Sequence, residues 1–176
     1  PSAALVRQGY DELSKSFDTQ WGGFSDAPKF PMPQNLSFLL EYAALENDAA
    51  LSAPALLTLT RMAQGGIFDH IGGGFSRYST DRAWLVPHFE KMLYDNALLI
   101  SAYLKAWKSS GDSLFRSTAE RTADYVLREL TSPSGAFYCA QDADSDGREG
   151  KYYLFTADEI IQVLGKKDAK TFCERL

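Results

Sequence analysis

The chain of 176 residues has about the length of one domain, and its 45% of hydrophobic residues suffices for a packed core, which excludes a disordered chain. A formal net charge of −5, with no basic run longer than residues 166–167, argues against nucleic acid as a partner. The apolar runs are far shorter than the roughly 18–20 residues of a membrane span, and no signal peptide is recognisable. We therefore expect a soluble, cytoplasmic protein with no membrane partner.

Apolar residues spaced three and four positions apart predict five helices, and hence a mainly α fold. They run from Pro33 to about Glu46, from about Ala49 to Gln64, from Pro87 to about Ser109, from about Asp112 to Leu130, and onward from Thr156. Two aromatic segments, residues 136–140 and 151–155, are typical of strands instead. We therefore predict a small β-hairpin near residues 136–155 on a helical body.

A glycine-aromatic motif recurs along the chain. Gly22-Gly23-Phe24 returns as Gly73-Gly74-Phe75 and, more loosely, as Gly135-Ala136-Phe137. We call these the first, second and third corners. Each interval fits two helices and two connections. We expect the three corners to meet at a common rim and to point polar side chains inward.

Chemically versatile side chains are densest around the second corner, in residues 65–96. They are Asp69, His70, Arg77, Tyr78, Trp84, His88, Glu90 and Asp95. Such a mixture beside glycines is typical of a ligand-binding segment. The alternative is a long connector whose polar groups only satisfy its own backbone.

His88 is the candidate general base. In the first turn of the helix predicted from Pro87, the positive end of the helix dipole would favour its neutral form. On a regular helix Glu90 points away from His88, so the two would cooperate only if both faces line the cavity. Of the adjacent Asp69 and His70, extended backbone lets only one face inward.

The first corner carries Trp21 and Phe24, with Lys29 a few residues later. Aromatic faces beside glycines suit the stacking of sugar rings, and they suit equally well the closing of a helical bundle. We predict that these three residues contact substrate.

An acidic loop follows the third corner. Residues 142–147 match the opening of a calcium loop, but Tyr153 stands where a bidentate carboxylate is required, which argues against an EF-hand. A calcium site of another kind and a simple acidic turn stay open. We favour a third interpretation, in which Asp142 and Asp144 project over a polar substrate. With no CxxC, Walker loop or dinucleotide-binding fingerprint, we predict neither a metal nor a cofactor.

Residues 22–31, 65–97 and 137–153 resemble the signature segments of the spermatogenesis-associated protein 20-like family. The resemblance implies a thioredoxin-like domain followed by an (α/α)6 toroid related to six-hairpin glycosidases and N-acylglucosamine 2-epimerases. This chain has no thioredoxin-type CxxC, so we expect a single domain, residues 1–176, that forms part of the toroid. Its open helical edges would favour self-association.

Two functions are expected from this combination. One is a carbohydrate-directed domain, either epimerase-like with His88 as base, or hydrolase-like with Asp69 or Glu90 opposite Asp142 or Asp144. The other is a noncatalytic binding or scaffold module beside a thioredoxin-like domain. Convergence of His88, Asp69 and Asp142 would favour the enzyme, whereas burial of His88 under Phe89 and Trp84 would favour the scaffold.

Overall fold

The computed structural model describes residues 2–174, which form two compact units, one ending at Asp142 and the other beginning at Ala143. The fold is mainly α, as predicted. The helices of the first unit are α1 (Ala3–Lys15), α2 (Pro33–Leu45), α3 (Ala53–Gln64), α4 (Leu93–Ser110) and α5 (Ser113–Glu129), with a 3-10 turn (Ala49–Ser52) before α3. Its strands are β1 (Tyr78–Ser79), β2 (Pro87–His88), β3 (Lys91–Met92) and β4 (Ala140–Gln141).

The helices of the first unit enclose one main core. Helix α2 packs against α3 and α4, and α5 packs against α3 and α4. The apolar positions that predicted these helices fill the space between them, and Leu36, Leu59 and Leu99 are fully buried. The hydroxyl of buried Tyr103 donates a hydrogen bond of 2.8 Å to the carbonyl of Leu59, so this polar group is satisfied inside the core.

Helix α4 begins six residues later than predicted. The sequence predicts a first helical turn at Pro87, but Pro87 and His88 form β2, which pairs antiparallel with β1. Lys91 and Met92 form β3, which pairs with β4. Pro87 alone does not distinguish the two structures, because proline is common both at the start of a helix and at the first position of a short strand.

The second unit consists of two strands, β5 (Asp144–Ser145) and β6 (Arg148–Glu149), followed by helix α6 (Ala157–Cys173). β5 and β6 form a hairpin, and the two residues that join them, Asp146 and Gly147, both have positive φ. A hairpin therefore lies inside the predicted range 136–155, but its strands are not the predicted ones. Thr156 caps α6 through the capping box expected from the sequence.

The first corner is closed by a buried ion pair. One carboxylate oxygen of Asp18 accepts hydrogen bonds from the backbone N–H groups of Gln20 and Trp21. The other lies 2.8 Å from Nζ of Lys29, which also donates to the carbonyl of Gly22. Lys29 is fully buried, so its charge is balanced by protein groups alone.

The second corner repeats this arrangement. Asp69 accepts from the backbone N–H groups of Ile71 and Gly72, and its second oxygen lies 2.8 Å from Nζ of Lys91. Lys91 also donates to the carbonyl of Gly73. The shared sequence pattern is Asp, any three residues, Gly-Gly-Phe-Ser, which occurs at 18–25 and 69–76.

An aromatic ring covers each buried lysine and touches the second glycine of its corner. Nζ of Lys29 lies 5.3 Å from the ring centroid of Trp84, and Nζ of Lys91 lies 4.5 Å from that of Tyr125. Gly74 adopts φ of +79°, and a Cβ there would collide with the ring of Tyr125. Both the backbone conformation and the space therefore require glycine at this position.

Short ladders join successive corners within the first unit. Lys29 and Ser79 exchange backbone hydrogen bonds of 2.8 and 2.9 Å, which links the first connection (residues 16–32, between α1 and α2) to the second (residues 65–92, between α3 and α4). The β3–β4 pair links the second connection to the segment that follows the third corner. These ladders join neighbouring connections, but the charged side chains of the first two corners are buried in separate ion pairs, so the prediction that they point into a shared cavity was wrong.

The ion pair of the second corner can be tested by Lys91→Met, which keeps the side chain's bulk and removes its charge. We expect the free energy of unfolding, measured by urea denaturation, to fall by about 3–5 kcal/mol, because the Asp69 carboxylate loses its buried partner. The control is Lys15→Met, which removes an exposed pair with Glu12 and should cost less than about 1 kcal/mol. Equal losses in the two variants would contradict this account.

Candidate functional site

The β1–β2 ladder brings together side chains from both ends of the second connection. Tyr78 is the Cα partner of His88, and their rings stack with centroids 4.9 Å apart and 19° between planes. Just beyond the ladder, the backbone N–H of Arg77 donates to the carbonyl of Glu90 at 2.7 Å. These four residues and Asp95 are named the His88 cluster below.

His88 and Glu90 share one side of the chain, because residues two apart in extended backbone point the same way. Nε2 of His88 lies 3.8 Å from Oε2 of Glu90, and the same oxygen accepts a 2.8 Å hydrogen bond from Arg77. The predictions that a helix dipole acts on His88 and that Glu90 points away from it were wrong, since neither residue is helical. The two side chains are 25% and 26% exposed, so the pair is open to solvent on one side.

Asp95 lies in the first turn of α4 and is 8% exposed. Burial raises the pKa of its carboxyl to about 6. The positive charge of Arg77 opposes this rise and the negative charge of Glu90 adds to it. A carboxyl that changes protonation near neutral pH is typical of a functional site.

Asp69 does not join His88, although both were candidates for catalysis. Its oxygens are taken by Lys91 and two backbone N–H groups. Burial raises the pKa of Asp69, but the hydrogen bond and charge of Lys91 outweigh it and leave the pKa below its usual range. Asp69 is therefore a structural carboxylate rather than a proton carrier. His70 is exposed, contacts the carbonyl of Gly65 and lies edge-on to Phe68.

The first corner contributes support rather than contacts to a ligand. Lys29 and Trp84 are fully buried, so the prediction that they bind substrate needs correction. Nε1 of Trp84 donates to the carbonyl of Trp21, whose own ring is covered by Arg61. Phe24 packs against the main core. The sequence alone could not distinguish an aromatic ring that closes a corner from one that binds a sugar, because both kinds stand beside glycines in the sequence.

Asp142 is exposed and ends the first unit. The β3–β4 register pairs Lys91 with Gln141, so the next residues outward along the ladder are Glu90 and Asp142. Asp142 thus belongs to the same end of the ladder as the His88 cluster. Asp144 starts β5 in the second unit, and its proposed role stays a prediction.

Two aromatic residues of the site were missed by sequence reasoning. Phe30 is 41% exposed and packs against Tyr78, with ring centroids 4.9 Å apart and the planes tilted by 37°. Tyr94 is 50% exposed, and it adds to the rise in the pKa of the Arg77 guanidinium, which is caused first by Glu90. Side chains alternate sides along extended backbone, so the position of Phe30 next to buried Lys29 could have predicted that Phe30 faces the opposite, exposed side.

Residues 2–174 contain no group of three or more His, Cys, Asp or Glu side chains arranged to hold a metal ion. In the same part of the chain, no helix combines the length and apolar character needed to cross a bilayer.

Solved structures with a similar backbone define the class of fold. A sugar epimerase from a ruminal bacterium has a TM-score of 0.65 and 15% identity, with 97% of this chain and 52% of that chain covered. An unsaturated glucuronyl hydrolase specific for heparin has a TM-score of 0.65 and 12% identity, with 98% and 52% covered. Cellobiose 2-epimerase from Spirochaeta thermophila DSM 6192 has a TM-score of 0.63 and 20% identity, with 80% and 41% covered. The chain has the helical-hairpin fold of (α/α)6 toroid proteins.

Sequence relatives match nearly the whole of this chain. Spermatogenesis-associated protein 20 of Homo sapiens is 47% identical over 93% of this chain, and its counterpart in Rattus norvegicus is 45% identical over the same share. The chain is homologous to a segment of the spermatogenesis-associated protein 20 family, as its signature segments predicted. It spans 22% of the length of either relative. No protein-family model matches the chain.

The raised pKa of Asp95 predicts a distinctive pH dependence of stability. An unfolded aspartate has a pKa of about 3.9, so as pH rises from about 4 to 6 the unfolded chain releases this proton first and stability falls. Asp95→Asn cannot ionise. Above pH 6 its free energy of unfolding should exceed that of the wild type by about 2–3 kcal/mol, while near pH 4 the two should agree.

Asp69→Asn provides the control for this measurement, because its effect on the free energy of unfolding should depend on pH in the opposite direction. The pKa of Asp69 is lowered, so its stabilising contribution is present above about pH 4 and is lost as pH falls through the folded pKa. Asp69→Asn should therefore be less stable than the wild type at pH 7. Parallel pH profiles for the two variants would contradict the assignment of Asp95.

Proposed function

We propose that this segment contributes part of the active centre of a sugar-converting enzyme, in which His88 carries a proton to and from a carbon next to a carbonyl. The observation that carries the proposal is the His88–Glu90 pair, with 3.8 Å between its nitrogen and oxygen; His88 lies on β2 and stacks against Tyr78, and Glu90 accepts a hydrogen bond from Arg77. An imidazole beside a carboxylate is a common form of general base.

The electrostatics of the pair suit proton transfer. When neutral His88 takes a proton, the imidazolium that forms lies beside the Glu90 carboxylate, which stabilises the new charge. The bond that breaks is the C–H bond next to the sugar carbonyl, and its electron pair moves onto the carbonyl oxygen. A second acid on the opposite side of that carbon would return a proton and invert its configuration.

The fold and the exposed rings support a sugar as the substrate. Epimerases and a glucuronyl hydrolase are among the proteins that share this fold, although the fold alone does not transfer their activities. Tyr78 and Phe30 offer apolar ring surface next to polar groups, which matches the mixed character of a sugar ring. A hydrolase-like mechanism is less well supported, because Asp69, one of its candidate carboxylates, is occupied by Lys91.

Proton transfer can be measured without knowing the product. The full-length protein is incubated in D₂O with glucose, mannose and cellobiose, and loss of the sugar C2 proton is followed by NMR. We expect His88→Asn to slow this exchange by about 10²–10⁴-fold, and Glu90→Gln to slow it less, because Glu90 acts through His88. Glu120→Gln, an exposed glutamate on α5, is the matched control and should exchange at the wild-type rate.

The outcomes separate the two candidate functions. Wild-type protein that binds a sugar but never exchanges its C–H protons would be a binding module, and the catalytic proposal would be wrong. Exchange that persists in His88→Asn would overturn the role of His88. Absence of both binding and exchange would favour a scaffold beside another domain.

A further inference from the structure

Strand β1 is paired along both of its edges. On one edge, Tyr78 is the Cα partner of His88 in β2. On the other, Ser79 exchanges two backbone hydrogen bonds with Lys29, of 2.8 and 2.9 Å. The backbone at residues 29–30 therefore runs along β1 on the side away from β2, and β1 is the middle one of three extended segments.

The two faces of these segments differ in exposure. Lys29 and Ser79 are fully buried. Side chains alternate between the faces of extended backbone, so the neighbours Phe30 and Tyr78 lie on the other face. Phe30 is 41% exposed, and the side chain of His88, the partner of Tyr78, is 25% exposed. This second face is therefore the open one, and it carries three rings side by side.

The three rings follow one another across the segments. Phe30 and Tyr78 stand next to a pair of residues that exchange both backbone hydrogen bonds, and at such positions opposite side chains come close together. The ring centroids of Phe30 and Tyr78 are 4.9 Å apart, and those of Tyr78 and His88 are also 4.9 Å apart. We call these three residues the aromatic row, which has Phe30 at one end and His88 at the other.

The apolar surface continues beyond the aromatic row. Thr80 lies two residues after Tyr78 and so shares its face, and the N–H of Thr80 donates a 2.8 Å hydrogen bond to the carbonyl of Val86. Val86 is 52% exposed. Single exposed apolar side chains are ordinary, but Phe30, Tyr78 and Val86 occupy adjacent positions of one face. Contiguous apolar surface of this kind is typical of a binding site.

The ring of Phe30 is held in place from the buried side. Its neighbour Lys29 is fixed by the 2.8 Å ion pair with Asp18, and the backbone at Lys29 is fixed by Ser79. A side chain that is already ordered before a ligand arrives loses little conformational freedom on binding. Phe30 is therefore an exposed ring on a rigid support.

The aromatic row leads directly to the proposed active centre. His88 ends the row, and its Nε2 lies 3.8 Å from Oε2 of Glu90. Two steps of 4.9 Å, with Tyr78 between them, separate Phe30 from His88. A single sugar ring positioned for proton transfer at His88 reaches over Tyr78 and leaves Phe30 uncovered. A further sugar ring linked to the first would extend to Phe30.

The chemistry of Phe30 suits such a further ring. Phenylalanine has no hydrogen-bonding group, so whatever covers it must offer C–H surface. A sugar ring presents C–H groups on its faces and keeps its hydroxyl groups at the edge, where they stay in water. The reacting carbon lies next to a carbonyl, and in a saccharide the carbonyl belongs to the reducing end. The reducing end therefore lies at His88, and the rest of the saccharide extends toward Phe30.

We propose that Phe30 forms a second sugar subsite on the aromatic row, so that the preferred substrate is the reducing end of a saccharide with two or more units rather than a free monosaccharide. This inference rests on the proposed function, which places the reacting unit at His88, and deepens it by naming the substrate class. Phe30 determines specificity by binding, while His88 and Glu90 act on the proton.

The length of the saccharide and the ring of Phe30 should affect the same kinetic constant. Loss of the C2 proton at the reducing end is followed by NMR in D₂O for the full-length protein with glucose, cellobiose and cellotriose. We expect kcat/KM to rise from glucose to cellobiose. Phe30→Ala should raise KM for cellobiose and cellotriose by about three- to tenfold, the contribution of one ring contact, and leave kcat unchanged. The constants for glucose should stay at their wild-type values.

Two further variants separate the ring from its effect on folding. Phe30→Tyr keeps the ring and should keep the wild-type KM for every sugar. Phe30→Leu keeps apolar bulk without the ring, and it should raise KM as Phe30→Ala does, even if Phe30→Ala lowers the melting temperature. The matched control is Phe137→Ala, which removes a phenylalanine that is 55% exposed and lies outside the aromatic row. It should change no constant for any of the sugars.

The outcomes distinguish this inference from the proposed function. Equal kcat/KM for the three sugars in the wild type, or an equal loss for glucose and cellobiose in Phe30→Ala, would overturn the inference and leave the proposed function intact. Cellotriose binding, measured by titration calorimetry, that weakens in Phe30→Ala but is never accompanied by exchange would support the subsite and refute proton transfer. Absence of both binding and exchange would refute the two proposals together.

Discussion

A lysine buried against an aspartate holds each of the first two corners, and the rest of the rim depends on these two ion pairs. Each lysine also belongs to a strand that reaches the following connection: Lys29 pairs with Ser79, and Lys91 with Gln141. Side chain and backbone thus act together, because the ion pair fixes the strand and the strand joins two connections. Removing either charge would leave its partner buried and unbalanced.

This construction divides the charged residues of the first unit into two groups. In one group every donor or acceptor is used inside the chain, as for Asp18 and Asp69. In the other, His88 and Glu90 are partly exposed, and the buried Nε of Arg77 has no hydrogen-bond acceptor within residues 2–174. The first group stabilises the connections, and the second is the one available for chemistry. Charge and burial alone do not distinguish the groups; the hydrogen-bond partners do.

Periodicity and repetition in the sequence were sufficient to predict most of the fold. The leucines of α2 and the capping box at Thr156 are local signals, and the structure follows them. The Gly-Gly-Phe repeat marks two corners of the same construction, whose charged side chains are buried in separate ion pairs. Local patterns could not predict which residues pair in space. Pro87 lies in a strand because β1 lies beside it, and Lys29 is buried because Asp18 balances its charge. Asp18 itself carried a usable signal, since the same residue type stands four positions before Gly22 and Gly73.

The central claim is that the rim presents a ligand site at the His88 cluster, and a crystal structure of the full-length protein soaked with glucose or cellobiose tests it most directly. The account predicts sugar density beside Tyr78 and His88. Sugar density only at another surface, with the His88 cluster empty, would contradict it.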